Sequence, residues 1–80
     1  MAKAIGSNEV VYAEVSDERG NLIRVYSQTY RGKTKVHVRR LWYPPDSLAP
    51  VPTRIGFALD EEHFREVMAG MMAAEQNLGW

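Results

Sequence analysis

The sequence has no cysteine. No disulfide can staple it, no thiol can act as a nucleophile and no thiolate zinc site can form. No apolar run approaches the ~20 residues of a membrane span, and the N-terminal stretch has no secretory hydrophobic region. We therefore expect a soluble intracellular protein with no membrane partner. No glycine-rich loop opens a helix, which argues against nucleotide hydrolysis. Ser16, Ser27 and Ser47 have no evident general base, which argues against acyl chemistry. His63, Glu62 and Glu66 share a helical stretch but lack further ligands, so a polar helix face accounts for them better than a metal site. The expectation is a non-enzyme with no cofactor and no metal.

Net charge is also absent: ten basic residues balance ten acidic ones. Taken alone, that balance argues against a polyanionic partner. The distribution reverses the argument. From Arg24 to Arg54 there are seven cations (Arg24, Arg31, Lys33, Lys35, Arg39, Arg40 and Arg54) and one acid, Asp46, a local charge of +6. The remaining segments sum to −6. Segregation of this kind sets up a field that net charge hides. The length of 80 residues allows one small domain. A domain of this size buries only ~60% of its unfolded surface, and without disulfides a second subunit is the natural source of further burial.

Residues 1–8 are small and polar and read as a flexible N-terminus; residues 9–80 read as a single domain. Val10 to Val15 reads as a first strand, with Val11, Ala13 and Val15 on one face and Glu14 on the other. Asp17 to Asn21 is a turn cluster. Leu22 to Tyr30 forms a second strand: Ile23, Val25, Ser27 and Thr29 share one face, and Arg24, Tyr26, Gln28 and Tyr30 the other. Arg31-Gly32-Lys33 closes a tight turn into a third strand that ends near Trp42. In that strand Val36 and Val38 face the core. Strict alternation would set Arg40 beside them, a costly place for an unpaired charge. A β-bulge at Arg39-Arg40 is therefore expected, turning both arginines out, Leu41 in, and Trp42 onto the face of Lys35 and Arg39.

All four prolines lie between Pro44 and Pro52, which reads as a connecting loop. Arg54 to Leu59 is a short fourth strand. Asp60 is placed to cap a helix, with Glu61 and Glu62 at the positive end of its dipole, and Leu59 and Phe64 form a hydrophobic staple. Phe64, Val67, Met68, Met71, Met72 and Leu78 recur at helical spacing, and Gly79 is a stop signal. The fold class is α+β: a four-stranded antiparallel sheet followed by one C-terminal helix. One helix leaves apolar surface unsheltered. The Met-rich stripe reads as core on its sheet side and as a homodimer contact, through Phe64, Met68, Met71 and Met72, on the other.

The stretch Tyr30 to Tyr43 interleaves cations and aromatic rings on a strand. Tyr26, Tyr30 and Trp42 can stack on bases. Lys33, Lys35, Arg39, Arg40 and Arg54 can hold phosphates, and Arg31 at the hairpin tip can reach a flanking nucleotide. Two placements stay open for Trp42, on a base or beneath the proline loop. For His37, a solvent-facing position competes with a phosphate or base contact.

Tyr30-Arg31-Gly32-Lys33, Val36-His37-Val38-Arg39, Trp42, Gly56-Phe57-Ala58-Leu59 and the capped helix through Phe64 together resemble the DNA-binding domain of the transcriptional coactivator positive cofactor four. The likeness spans residues 22 to 75, in order and spacing. It implies a homodimer of β-β-β-β-α subunits, Whirly-like in architecture, that binds single-stranded DNA with little sequence preference. By this resemblance Tyr30, Arg31, Lys33, Arg39, Trp42 and Arg54 occupy contact positions. Ile55, Gln28 and Arg40 stand where the family has a lysine, an arginine and an acid. The regulatory serine- and lysine-rich tail is missing, as in compact bacterial or phage-type members.

The expected function is sequence-tolerant binding of single-stranded DNA in transcription, replication or repair, with the machinery of those processes as further partners. The expected location is cytoplasmic and nucleoid-associated in a bacterial or phage setting, and nuclear in a eukaryotic one. The alternatives are a protein-interaction and dimerisation module, or an RNA binder.

Overall fold

The computed structural model describes residues 3–4 and 8–80. The chain runs β1 (Lys3–Ala4), β2 (Glu9–Ser16), β3 (Leu22–Tyr30), β4 (Lys33–Trp42), β5 (Val51–Leu59) and α1 (Glu61–Leu78). The strands form an antiparallel meander in the order β1-β2-β3-β4-β5. Four long strands followed by one helix is the expected α+β architecture. The two-residue β1, paired with Val10 and Val11, adds a short edge inside the stretch expected to be flexible. The rest of that expectation falls largely outside the described residues. No helix among the described residues is long and apolar enough to cross a membrane.

Turn chemistry sets the registers. In the β2–β3 turn the Asp17 carboxylate accepts from the backbone N–H groups of Arg19 (2.8 Å) and Asn21 (2.9 Å), and Gly20 takes φ 81°. The β3–β4 turn has two residues, Arg31 (φ 52°) and Gly32 (φ 77°), both left-handed as a type I′ hairpin requires. Tyr30 then pairs with Lys33, and the ladder runs unbroken to Leu22–Leu41.

Two faces follow. Arg24, Tyr26, Gln28, Tyr30, Lys33, Lys35, His37 and Arg39 share one, the basic face. Ile23, Val25, Ser27, Val36, Val38, Phe57 and Leu59 share the other, the apolar face. A bulge at Tyr12 corrects the reading of the first strand. Val11 pairs with Tyr26 and Ala13 with Val25, so Val11 lies on the basic face and Ala13 and Val15 on the apolar one. The extra residue is used: the Tyr12 hydroxyl bonds that of the buried Ser27 at 2.9 Å.

The bulge expected at Arg39-Arg40 is instead on β5. Arg39 faces Gly56 and Leu41 faces Pro52, so Thr53-Arg54-Ile55 span what Arg40 alone spans on β4. Thr53 ties it down, donating from Oγ1 to the Arg40 carbonyl at 2.6 Å and accepting there from the Ile55 N–H at 3.1 Å. Arg40 therefore stays on the apolar face. Its charge is met by Asp17, Nη2 to Oδ2 2.8 Å, reaching in from the β2–β3 turn. Burial raises the proton affinity of Asp17, but the Arg19 and Asn21 N–H groups and the Arg40 guanidinium outweigh it and hold the carboxyl below its ordinary range. The proline loop is also shorter than expected, because β5 begins at Val51. Pro52 is tolerated there because β5 is an edge strand.

The helix begins as the sequence indicates. The Asp60 carboxylate accepts from the His63 N–H at 3.0 Å, and Gly79 ends the helix at φ 70°. Leu59 and Phe64 line a small cleft with Thr34 and Val36, so only the first turns of α1 meet the sheet. The Met stripe is not covered by its own sheet, contrary to the expected core role: no helix residue is buried, and Met71 is 56% exposed. Among the described residues the buried apolar side chains are Val11, Leu22 and Leu41. The radius of gyration is 14.1 Å, against roughly 12 Å for a compact chain of this length.

Gly56 marks the closest backbone approach. At φ 149°, a Cβ would strike the Val38 carbonyl oxygen and lie 2.8 Å from Arg39 Cα. Gly56→Ala is expected to destabilise the fold by about 2–3 kcal/mol, measured by urea unfolding.

Candidate nucleic-acid interface

The unbroken β3–β4 register arranges the basic face as four rungs: Arg24 opposite Arg39, Tyr26 opposite His37, Gln28 opposite Lys35, and Tyr30 opposite Lys33. Successive rungs are two residues apart, so the ladder is roughly 20 Å long. Rings and cations therefore sit on one rigid, extended row. The Arg31-Gly32 turn closes its far end.

The charges are not equally free. Arg24 donates from Nη2 to Glu14 Oε2 at 3.0 Å, which offsets its repulsion with Arg39. Arg39 donates to the Thr53 carbonyl at 3.1 Å, a contact that positions the guanidinium and leaves its charge uncompensated. Among the described residues, Arg31, Lys33, Lys35 and Arg39 make no ion pair. Glu9, opposite Gln28, acts on His37, and Asp60 at the start of α1 acts on Lys35.

His37 is where the structure departs most from the solvent-facing reading. Its ring lies against Tyr26, centroids 4.8 Å apart and planes within 7°. It is half-buried, and Nδ1 is buried with no hydrogen-bond partner. Burial, with Arg39 and Lys35 on either side, lowers its pKa below the ordinary 6.5, against an opposing pull from Glu9.

Of the residues singled out in the sequence, Tyr26, Tyr30, Lys33, Lys35 and Arg39 come together on this face, with Arg31 at its end. Arg54 is exposed in the β5 bulge. Arg40 and Trp42 do not join the row. Without a bulge in β4 they alternate onto the apolar face, Arg40 held by Asp17 and Trp42 at the strand end opposite Val51. The sequence put Arg24 and Gln28 on the face of Tyr26 and Tyr30 and weighed His37 as a contact, but assigned none of the three to the site. The signal was present, since a two-residue turn after Tyr30 forces Tyr26 opposite His37. On the helix, His63 Nδ1 lies 2.8 Å from the cap carboxylate of Asp60.

On the apolar face, Asp17, Arg40, Ile23, Val38, Ile55 and Phe57 help line an open cleft of about 580 Å³. No family model, no curated protein and no solved structure matches the chain.

Arg31 occupies a position of the type I′ turn that favours Asn or Gly, and its guanidinium lies 5.2 Å from the Tyr30 ring centre. An arginine held left-handed costs local stability. Arg31→Asn is expected to raise stability by about 0.5–1 kcal/mol in urea unfolding, while removing the cation at the tip of the ladder.

Proposed function

We propose that this protein is a homodimeric, sequence-tolerant binder of single-stranded DNA that grips the strand along the basic face of β3 and β4. One observation carries the reading: Tyr26, Tyr30, Lys33, Lys35 and Arg39 share one face of an unbroken two-strand ladder, and among the described residues these three cations make no ion pair. Aromatic faces accept any base, and cations follow the phosphates whatever the sequence. A flat row suits an unpaired strand better than a duplex, because only an unpaired strand offers base faces beside its phosphates. The resemblance to positive cofactor four adds support through Tyr30, Arg31, Lys33 and Arg39, which lie in this row and its turn, but not through Trp42, which lies on the other face. Arg54 extends the charge toward β5. The processes this reading fits are those that expose single strands: transcription, replication or repair.

The dimer rests on the missing core. The chain exposes 6589 Å², whereas a compact monomer of its 9.1 kDa mass exposes about 4900 Å². The excess of about 1700 Å² is the area one chain gives up in an obligate homodimer. Apolar side chains lie exposed on the uncovered side of α1, at Val67, Met68, Met71, Met72 and Leu78, and on the apolar sheet face at Ile23, Ile55 and Phe57. Phe64, already half-covered by its own sheet, anchors the helix base. The two-fold mate of each helix supplies the cover that one chain cannot. This arrangement leaves both basic faces available for DNA. The same exposed apolar surface favours the second reading, a protein-interaction module, if the partner is a different chain.

Two experiments separate these readings. Sedimentation is expected to give a species of two chains at micromolar concentration, and Met71→Lys is expected to dissociate it. A stable monomer would remove the dimer. Fluorescence anisotropy with a labelled oligo-dT of about 20 nucleotides is expected to report binding that weakens steeply with salt. Tyr30→Ala should raise the dissociation constant about ten-fold or more, and Lys33→Ala should flatten the log–log salt slope by about 0.7 per subunit. Absence of binding at low salt would overturn the DNA reading, and tighter binding to oligo-U would transfer it to RNA.

A further inference from the structure

The Tyr26–His37 pair sits at the middle of the ladder, and its chemistry differs from that of its neighbours. Lys35 and Arg39 stay charged throughout the physiological range, whereas an imidazole changes charge within it. On the basic assignment above, we infer that His37 is a proton-linked contact for single-stranded nucleic acid: it stacks on Tyr26 as a neutral ring in the free protein and takes up a proton from solvent when a phosphate chain occupies the ladder.

The surroundings supply both halves of the switch. In the free protein every nearby influence but one disfavours the imidazolium. The ring is half-buried against Tyr26, and Nδ1 has no partner. Lys35 and Arg39 lie two residues away on the same face of β4. From β3, Tyr26 is neutral, Gln28 is neutral, and Arg24 is already held by Glu14. From β5, the facing residues are Ala58 and Gly56, which bring no charge. From β2, Glu9 alone favours protonation, from its place opposite Gln28. The ring's lowered pKa follows from this arrangement.

A bound strand reverses the balance. Phosphates that neutralise Lys35 and Arg39 cancel the two cations that repel the imidazolium and add negative charge beside it. The proton is then held more tightly in the complex than in the free protein. By linkage, binding must tighten as pH falls from above the bound-state midpoint toward the free-state midpoint, and must level off below it. The ceiling is one proton per chain.

Oligo-dT of about 20 nucleotides is the probe, because neither thymine nor a phosphodiester titrates in the histidine range. At fixed ionic strength the wild-type dissociation constant is expected to fall about five- to ten-fold between about pH 7.5 and 5.5. His37→Gln should abolish that dependence, and His63→Gln, at the helix cap away from the ladder, should keep it. Because His37→Gln removes a half-buried ring, the unmodified protein provides an independent measurement. Its binding heat, compared across buffers of different ionisation enthalpy, counts the protons taken up. The His37 ring signal in magnetic resonance should titrate at higher pH with oligo-dT than without.

Binding with no proton uptake, or an unchanged pH slope in His37→Gln, would overturn the inference and leave the DNA reading standing. No binding at any pH would remove both.

Discussion

A turn of two residues governs this structure. With only Arg31 and Gly32 between Tyr30 and Lys33, the register of β3 against β4 has no freedom. A slip of one residue would carry every side chain of one strand to the opposite face. The separation of rings and cations from valines and isoleucines depends on it. So does the meeting of Tyr26 with His37, eleven positions apart in the chain. Gly32 permits the turn cheaply. Arg31 does not, and it holds a cation with no ion pair among the described residues over the Tyr30 ring.

The two faces solve different problems. The basic face holds some of the few deeply buried side chains: Leu22 and Leu41 pair directly, with Leu41 only 2% exposed, and they anchor one end of the ladder. The apolar face is worse protected, with Ile23, Ile55 and Phe57 exposed. One corner is closed by Leu59 and Phe64, and the Asp17–Arg40 ion pair lies at another. A helix attached only by its first turns cannot shelter the remainder. In the dimeric reading, fold stability and self-association are one equilibrium, because the side chains that would complete the core belong to the second copy.

Local chemistry made much of this legible in the sequence. The Asp60 cap, the Gly79 stop, the β3 bounds and the alternation along β3 depend on residues close in the chain, and each is where the sequence places it. What escaped was set by partners distant in the chain. Parity alone made Arg40 an intolerable neighbour of Val36 and Val38 and demanded a bulge in β4. The actual relief is Asp17, more than twenty residues earlier, which strand alternation cannot reveal. The bulge at Tyr12 escaped for the same reason, since its purpose is a hydroxyl contact with Ser27 on the next strand. The Met stripe showed clearly as helical periodicity, but periodicity cannot say which surface covers it.

In the nucleic-acid reading, the electrostatics of the ladder tie stability to binding. Facing residues on paired strands have Cβ atoms ~5 Å apart, and at that separation two like charges repel by roughly 3 kcal/mol at the effective dielectric of a protein surface. Long side chains splay apart to reduce this, and Glu14 offsets it for Arg24 opposite Arg39. Among the described residues Lys33 and Lys35, further along the same strand, make no ion pair, and between Lys35 and Arg39 the burial of the His37 ring disfavours a further positive charge. The fold therefore tolerates a repulsion it has answered at one end only. A polyanion laid along β4 relieves that repulsion directly. In that reading binding energy would come partly from contacts formed and partly from repulsion removed, and the second part would depend on how many groups along the row carry charge at the moment of contact.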